Sequence, residues 1–156
     1  MCEKNEIQNR KQQIRLIGIG MGSAASTTRE GAEAIEGSDC LIGARRMLEA
    51  AGGKAAAFCE YRAEEILSYI EAHPEYGKIG VVLSGDTGFY SGAKKLAELL
   101  KARPEKYDIR LIPGVSSVAC LAAKLGTSWE DAAVISLHGQ DENFIQTVNR
   151  NHKTFL

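Results

Sequence analysis

Ile79-Gly80-Val81-Val82-Leu83-Ser84-Gly85-Asp86-Thr87-Gly88 decides the fold: an almost unbroken apolar run stops abruptly at a polar, glycine-rich turn. A strand with one wet face alternates apolar and polar side chains. This run offers water no polar side, so it predicts a strand covered on both faces, as in a parallel sheet between helical layers. The flanks agree. Residues 63–72 carry Ile66, Leu67 and Ile70 on one helical face and are closed by Pro74, and residues 93–100 form an amphipathic helix.

The same alternation extends outward in both directions. A strand over 14–19 ends in Gly18, Gly20 and Gly22 and leads to a helix over 27–35 capped by Ser26 or Thr27. A brief strand at 39–42 precedes a helix at 45–51 stopped by Gly52 and Gly53, and 55–58 supplies a third strand. A strand at 109–112 ends at Pro113-Gly114, followed by an Ala- and Ser-rich helix over 116–125. A strand at 132–137, a helix at 143–150 and the beginning of a strand at 153–156 complete the chain. Strands alternating with helices specify an α/β class, a mainly parallel sheet flanked by helices. The expected organisation is a polar leader at 1–13, an α/β domain at 14–128 and the start of a second domain at 129–156 that breaks off within an apolar run.

Composition narrows the function. Nineteen Lys and Arg against 20 Asp and Glu leave a net charge of −1, so no broad field favours nucleic acid or an anionic membrane, and an anionic ligand has to be held locally. Cys2, Cys40, Cys59 and Cys120 form no CxxC pair and have no histidine at metal-ligand spacing; they read as reduced, mostly buried thiols of a cytosolic protein, with no metal site. The N-terminus lacks the apolar core of a signal peptide, and no apolar run reaches membrane-spanning length.

Ligands of open parallel sheets bind at the carboxyl ends of the strands, so the residues after each apolar run form one candidate set. Gly18-Ile19-Gly20-Met21-Gly22 permits a tight turn and close backbone approach to a ligand. In Ser84 to Tyr90, Asp86 can accept hydrogen bonds from a ribose or an amino group, and Phe89 or Tyr90 can wall an adenine or a macrocycle; the bland alternative is that Asp86 caps the next helix. Pro113-Gly114-Val115-Ser116-Ser117 delivers hydroxyls and amides at a helix start, although capping alone accounts for one serine. Arg45 and Arg46 can grip carboxylates of an acidic substrate, or simply begin a solvated helix. His138 can donate to substrate or serve as acid or base, against a structural role. Ser84, Ser116, His138 and Asp86 supply the residue types of a hydrolase triad, but no GxSxG elbow accompanies them.

Taken in order, Gly18 to Gly22, Ser84 to Tyr90 and Pro113 to Ser117 resemble the successive cofactor-side motifs of the tetrapyrrole methylase family, across residues 14–139. Gly43-Ala44-Arg45-Arg46-Met47-Leu48 and Val134 to Gly139 are most similar to the branch that methylates C5 of the corrin precursor, cobalt-precorrin-7 or precorrin-6Y, in cobalamin biosynthesis. The resemblance implies two α/β domains with S-adenosylmethionine folded between them and S-adenosylhomocysteine as product. It implies cofactor contacts from Gly20, Met21, Gly85, Asp86, Phe89, Ser116 and Ser117, and substrate contacts from Arg45, Arg46 and His138. Met21 departs from the proline that many relatives carry there. A small-molecule tetrapyrrole substrate, a homodimer and a C15-methylating, decarboxylating partner are further implications. An NADP-binding oxidoreductase domain that uses the first glycine loop with Arg45 and Arg46 is the competing reading, and an inactive scaffold fragment is a third.

Overall fold

The structure is a computed structural model that describes residues 11–53, 55–88, 91–135 and 144–155. The chain divides into two compact units, Met1–Val115 and Ser116–Leu156. The division places the helix after Pro113-Gly114 in the second unit, whereas the sequence expectation closes the first domain at 128.

The first unit runs β1 (Gln12–Gly18), α1 (Arg29–Glu36), β2 (Cys40–Gly43), α2 (Arg45–Ala51), β3 (Ala56–Cys59), α3 (Ala63–Ala72), β4 (Lys78–Leu83), α4 (Ala93–Lys101) and β5 (Tyr107–Ile112). All five strands are parallel, in the order β3-β2-β4-β1-β5. Strands β1 and β4 lie side by side at the centre of the sheet, with Ile14 opposite Ile79 and Leu16 opposite Val81. Both of their faces are covered. Ile14, Leu16, Ile79 and Val81 pack beneath α3 and α4 with Ile66, Ile70, Leu96 and Leu100, while Ile17, Ile19, Leu41 and Val82 pack with Ile35 and Met47 on the α1 and α2 side. Alternate residues of one strand thus serve two cores, which is why the sequence shows runs instead of alternation.

Local chemistry sets the boundaries. Helices α2 and α3 have the bounds read from the sequence, and α2 stops at Gly52 with a φ of 67°, the left-handed cap only glycine adopts cheaply. Helix α1 differs: its cap is Thr28, whose Oγ1 accepts from the Gly31 N–H at 3.1 Å, in place of Ser26 or Thr27. Ser26 is already committed to a 3-10 turn, Ala24–Ser26, where its hydroxyl accepts from the Met21 N–H at 3.0 Å and donates to the Ser23 carbonyl at 2.9 Å. The expectation of mostly buried thiols also needs correction, because Cys40 is buried and Cys120 half-buried but Cys59 is exposed. Strand β3 is a sheet edge whose Ala56 and Ala57 are also exposed.

The second unit contains α5 (Ser117–Leu125), β6 (Ala133–Val134), α6 (Phe144–Arg150) and β7 (Thr154–Phe155), with β6 and β7 parallel. Lys153 Nζ ties the segment before β6 to the one before β7 by donating to Asp131 Oδ1 at 2.8 Å and the Ser128 carbonyl at 2.9 Å. No described helix is long and apolar enough to cross a membrane.

Candidate functional site at the β1 and β4 strand ends

The strand order creates a topological switch point. β1 leads into α1 on one face of the sheet and β4 leads into α4 on the other, so the chain leaves the carboxyl ends of these adjacent strands toward opposite faces. The glycine-rich loops predicted from sequence occupy that position. They are joined by reciprocal backbone hydrogen bonds: the Gly20 N–H donates to the Gly85 carbonyl at 3.1 Å, and the Gly85 N–H to the Gly20 carbonyl at 2.8 Å.

Glycine is required here for two separable reasons. Gly20 and Gly85 have φ of 62° and 67°, which L side chains rarely adopt. Gly18 and Gly114 are excluded from change by space. A Cβ on Gly114 would overlap the Gly85 carbonyl oxygen and lie 2.6 Å from the Gly18 carbonyl carbon and oxygen, while one on Gly18 would lie 2.6 Å from the Gly114 nitrogen. The ends of β1, β4 and β5 therefore meet backbone to backbone. At Gly85 itself, half-buried, an added Cβ would meet nothing within 4 Å, so its backbone borders open space.

The other predicted residues fall at unequal distances from these strand ends. Met21, 54% exposed, lines a cavity of about 120 Å³ together with Gly22, Arg46 and Ser84. Arg46 and Ser84 also line a neighbouring cavity of about 270 Å³ bounded by Gly43, Glu60 and Tyr61. Arg45 lines neither, although it shares the exposed first turn of α2 with Arg46. The structure thus separates the two arginines and brings only Arg46 to Met21 and Ser84. Cations at a helix N-terminus oppose the dipole by about 0.3–1 kcal/mol each, and α2 has no acidic residue in its first turn to offset them.

Asp86 is half-buried in the turn after β4. It does not cap α4, whose N-cap is Gly92 and whose Ala93 N–H is held by Ser91 Oγ at 3.2 Å, so the capping explanation fails. Ser116 and Ser117 belong to the second unit. There Ser116 is the N-cap of α5, its Oγ accepting from the Val118 N–H at 3.3 Å, so capping accounts for that hydroxyl; Ser117 is exposed in the first turn. Phe89 and His138 lie outside the described residues.

Sequence reasoning missed Glu60 and Tyr61, which follow β3. Their signal was available in the rule used for the other strands, since they stand at a carboxyl end. Glu60 is strongly acidic: the Arg62 guanidinium and the N–H groups of Arg62 and Tyr61 bring its carboxyl down to about 2.

The sheet order also removes the dinucleotide reading. In that fold the second strand adjoins the first, so its end can read the ribose above the first loop; here β4 separates β1 from β2 and its arginines.

Fold and site together define a parallel α/β protein whose glycine loops meet backbone to backbone at the ends of β1 and β4. Residues 13–154 match the family of Tetrapyrrole (Corrin/Porphyrin) Methylases, and the chain belongs to that family. It is 34% identical over 149 residues to a probable cobalt-precorrin-7 C(5)-methyltransferase of Methanocaldococcus jannaschii, covering 92% of this chain and 69% of that one. It is also 35% identical over 133 residues to a probable cobalt-factor III C(17)-methyltransferase of Methanothermobacter thermautotrophicus, covering 80% and 36%. Among solved structures, the precorrin-6Y methylase of Archaeoglobus fulgidus superposes with a TM-score of 0.59 at 26% identity, covering 83% of this chain and 66% of that one. The chain therefore spans about a third to two thirds of the length of these relatives.

Proposed function

We propose that this protein takes part in S-adenosylmethionine-dependent methylation of a corrin precursor in cobalamin biosynthesis, with C5 of cobalt-precorrin-7 or precorrin-6Y as the methylated carbon. The observation that carries the reading is the paired Gly20 and Gly85 backbone, joined at the switch point of a chain that belongs to the tetrapyrrole methylases. The residues fit the cofactor. Gly85 leaves open space where a Cβ would stand, Asp86 adds an acceptor for ribose or amino hydrogens, and Met21 offers a soft apolar surface on the other loop. Gly20, Met21, Gly85 and Asp86 would hold it, and Phe89, Ser116 and Ser117 remain further proposed contacts.

The cofactor supplies an electrophilic methyl group on a sulfonium with a good leaving group, so the chain is not asked for a nucleophile. Its task is orientation and exclusion of water. The rigid glycine contacts supply the first, because loops joined backbone to backbone cannot drift independently. Arg46, on the cavities beside Met21 and Ser84, suits a peripheral carboxylate of the macrocycle; Arg45 and His138 stay in the proposal as further substrate contacts. The choice of C5 over C17 rests on the longer match to the C5 relative, 149 residues against 133.

Calorimetric titration of S-adenosylhomocysteine into the wild-type protein and an Asp86→Ala variant tests the cofactor site. Binding that the variant weakens about tenfold supports it, and no binding to folded wild-type protein refutes it. Transfer of a 13C-methyl group, followed by carbon NMR of the product, decides between C5 and C17.

A further inference from the structure

The loop after β3 holds a side chain that the fold does not need. Tyr61 is 75% exposed, the most exposed large apolar or aromatic residue among those described. An exposed ring on the lining of a cavity is free to stack on a ligand.

Its backbone is nevertheless held tightly. Glu60 Oε1 accepts from the Tyr61 N–H at 2.8 Å and the Arg62 N–H at 2.9 Å. The Arg62 guanidinium closes the loop with contacts of 3.2 Å to Oε1 and 3.0 Å to Oε2. This clasp pins both peptide groups flanking Tyr61. It also cancels the Glu60 charge, which would otherwise repel an anion from the cavity that Glu60 and Tyr61 share with Arg46 and Ser84.

We infer that Tyr61 is a substrate-contacting specificity residue, its ring forming the aromatic wall on which the face of a conjugated macrocycle stacks while Arg46 takes a peripheral carboxylate of the same molecule. The inference rests on the methyltransferase reading and names a residue for its substrate side. A flat π surface and a guanidinium on one cavity of about 270 Å³ suit a ligand that carries both a flat conjugated face and a carboxylate.

The test titrates uroporphyrin, a planar octacarboxylate, into the intact protein with S-adenosylhomocysteine present, following the porphyrin absorption band. Tyr61→Phe should bind like wild type. Tyr61→Ala should bind about 3- to 10-fold more weakly and lose the band shift that stacking produces. Arg46→Ala should bind more weakly, keep the band shift and lose part of its salt dependence. If wild type binds both molecules and Tyr61→Ala matches it, the inference is wrong while the methyltransferase reading stands. If Tyr61→Phe is as weak as Tyr61→Ala, a hydroxyl contact replaces the stacking and the inference is again overturned. If wild type binds neither molecule, the reading falls and takes the inference with it. Far-ultraviolet circular dichroism confirms that each variant is folded, as expected for substitutions of an exposed side chain.

Discussion

Gly114→Ala adds one methyl group, and the structure makes it among the most damaging small changes available. The new Cβ would overlap the Gly85 carbonyl oxygen and stand 2.6 Å from the Gly18 carbonyl carbon and oxygen. These neighbours are backbone atoms, so no rotamer change relieves the overlap; the ends of β1 and β4 have to part from β5. Overpacking costs about 1–3 kcal/mol where side chains can adjust, and backbone contacts on two strand ends place this case at the upper end, about 3 kcal/mol. For a chain of 156 residues that corresponds to a fall in Tm of roughly 6–12 °C. Urea unfolding should show a lower midpoint at an unchanged slope. Gly52→Ala is the control, because its Cβ would meet nothing within 4 Å and only the left-handed φ of 67° opposes it, at about 1–2 kcal/mol. A Gly114→Ala midpoint within about 0.5 kcal/mol of wild type would refute the claim that these strand ends are locked backbone to backbone.

Gly85→Ala should lower stability by only about 1–2 kcal/mol, from its φ of 67°, yet weaken S-adenosylhomocysteine more than tenfold in calorimetry, since the methyl enters ligand space. Thr28→Ala removes the α1 cap and should cost about 1 kcal/mol in urea unfolding without changing cofactor affinity. Leu100→Ala empties a fully buried site under α4 and should cost about 2–5 kcal/mol by the same measurement. Glu60, with its carboxyl brought down to about 2, contributes stability at any pH above the ordinary carboxylate value of 4.5, a contribution that disappears as pH falls through about 2; Arg62→Ala should move its carbon NMR titration midpoint up toward 4.5.

Much of this protein is determined by sequence alone, and the reason is local. Apolar runs report strands covered on both faces, helical spacing reports the stripes of α3 and α4, and glycines report left-handed φ at the ends of β1, β4 and α2. Those signals depend on near neighbours, so the α/β class, the helix bounds at Ala63–Ala72 and the glycine loops were legible. The cap of α1 was not, because Ser26, Thr27 and Thr28 are each competent caps and the choice follows from Ser26 being engaged with Met21 and Ser23. Strand order lay beyond sequence altogether. Only the tertiary structure places β4 between β1 and β2, and with it rejects the dinucleotide geometry, joins Gly20 to Gly85 and Gly18 to Gly114, parts Arg46 from Arg45, and brings Tyr61 to the cavity of Arg46. Pairing of distant strands depends on which faces can be buried together, and that is a property of the packed chain as a whole.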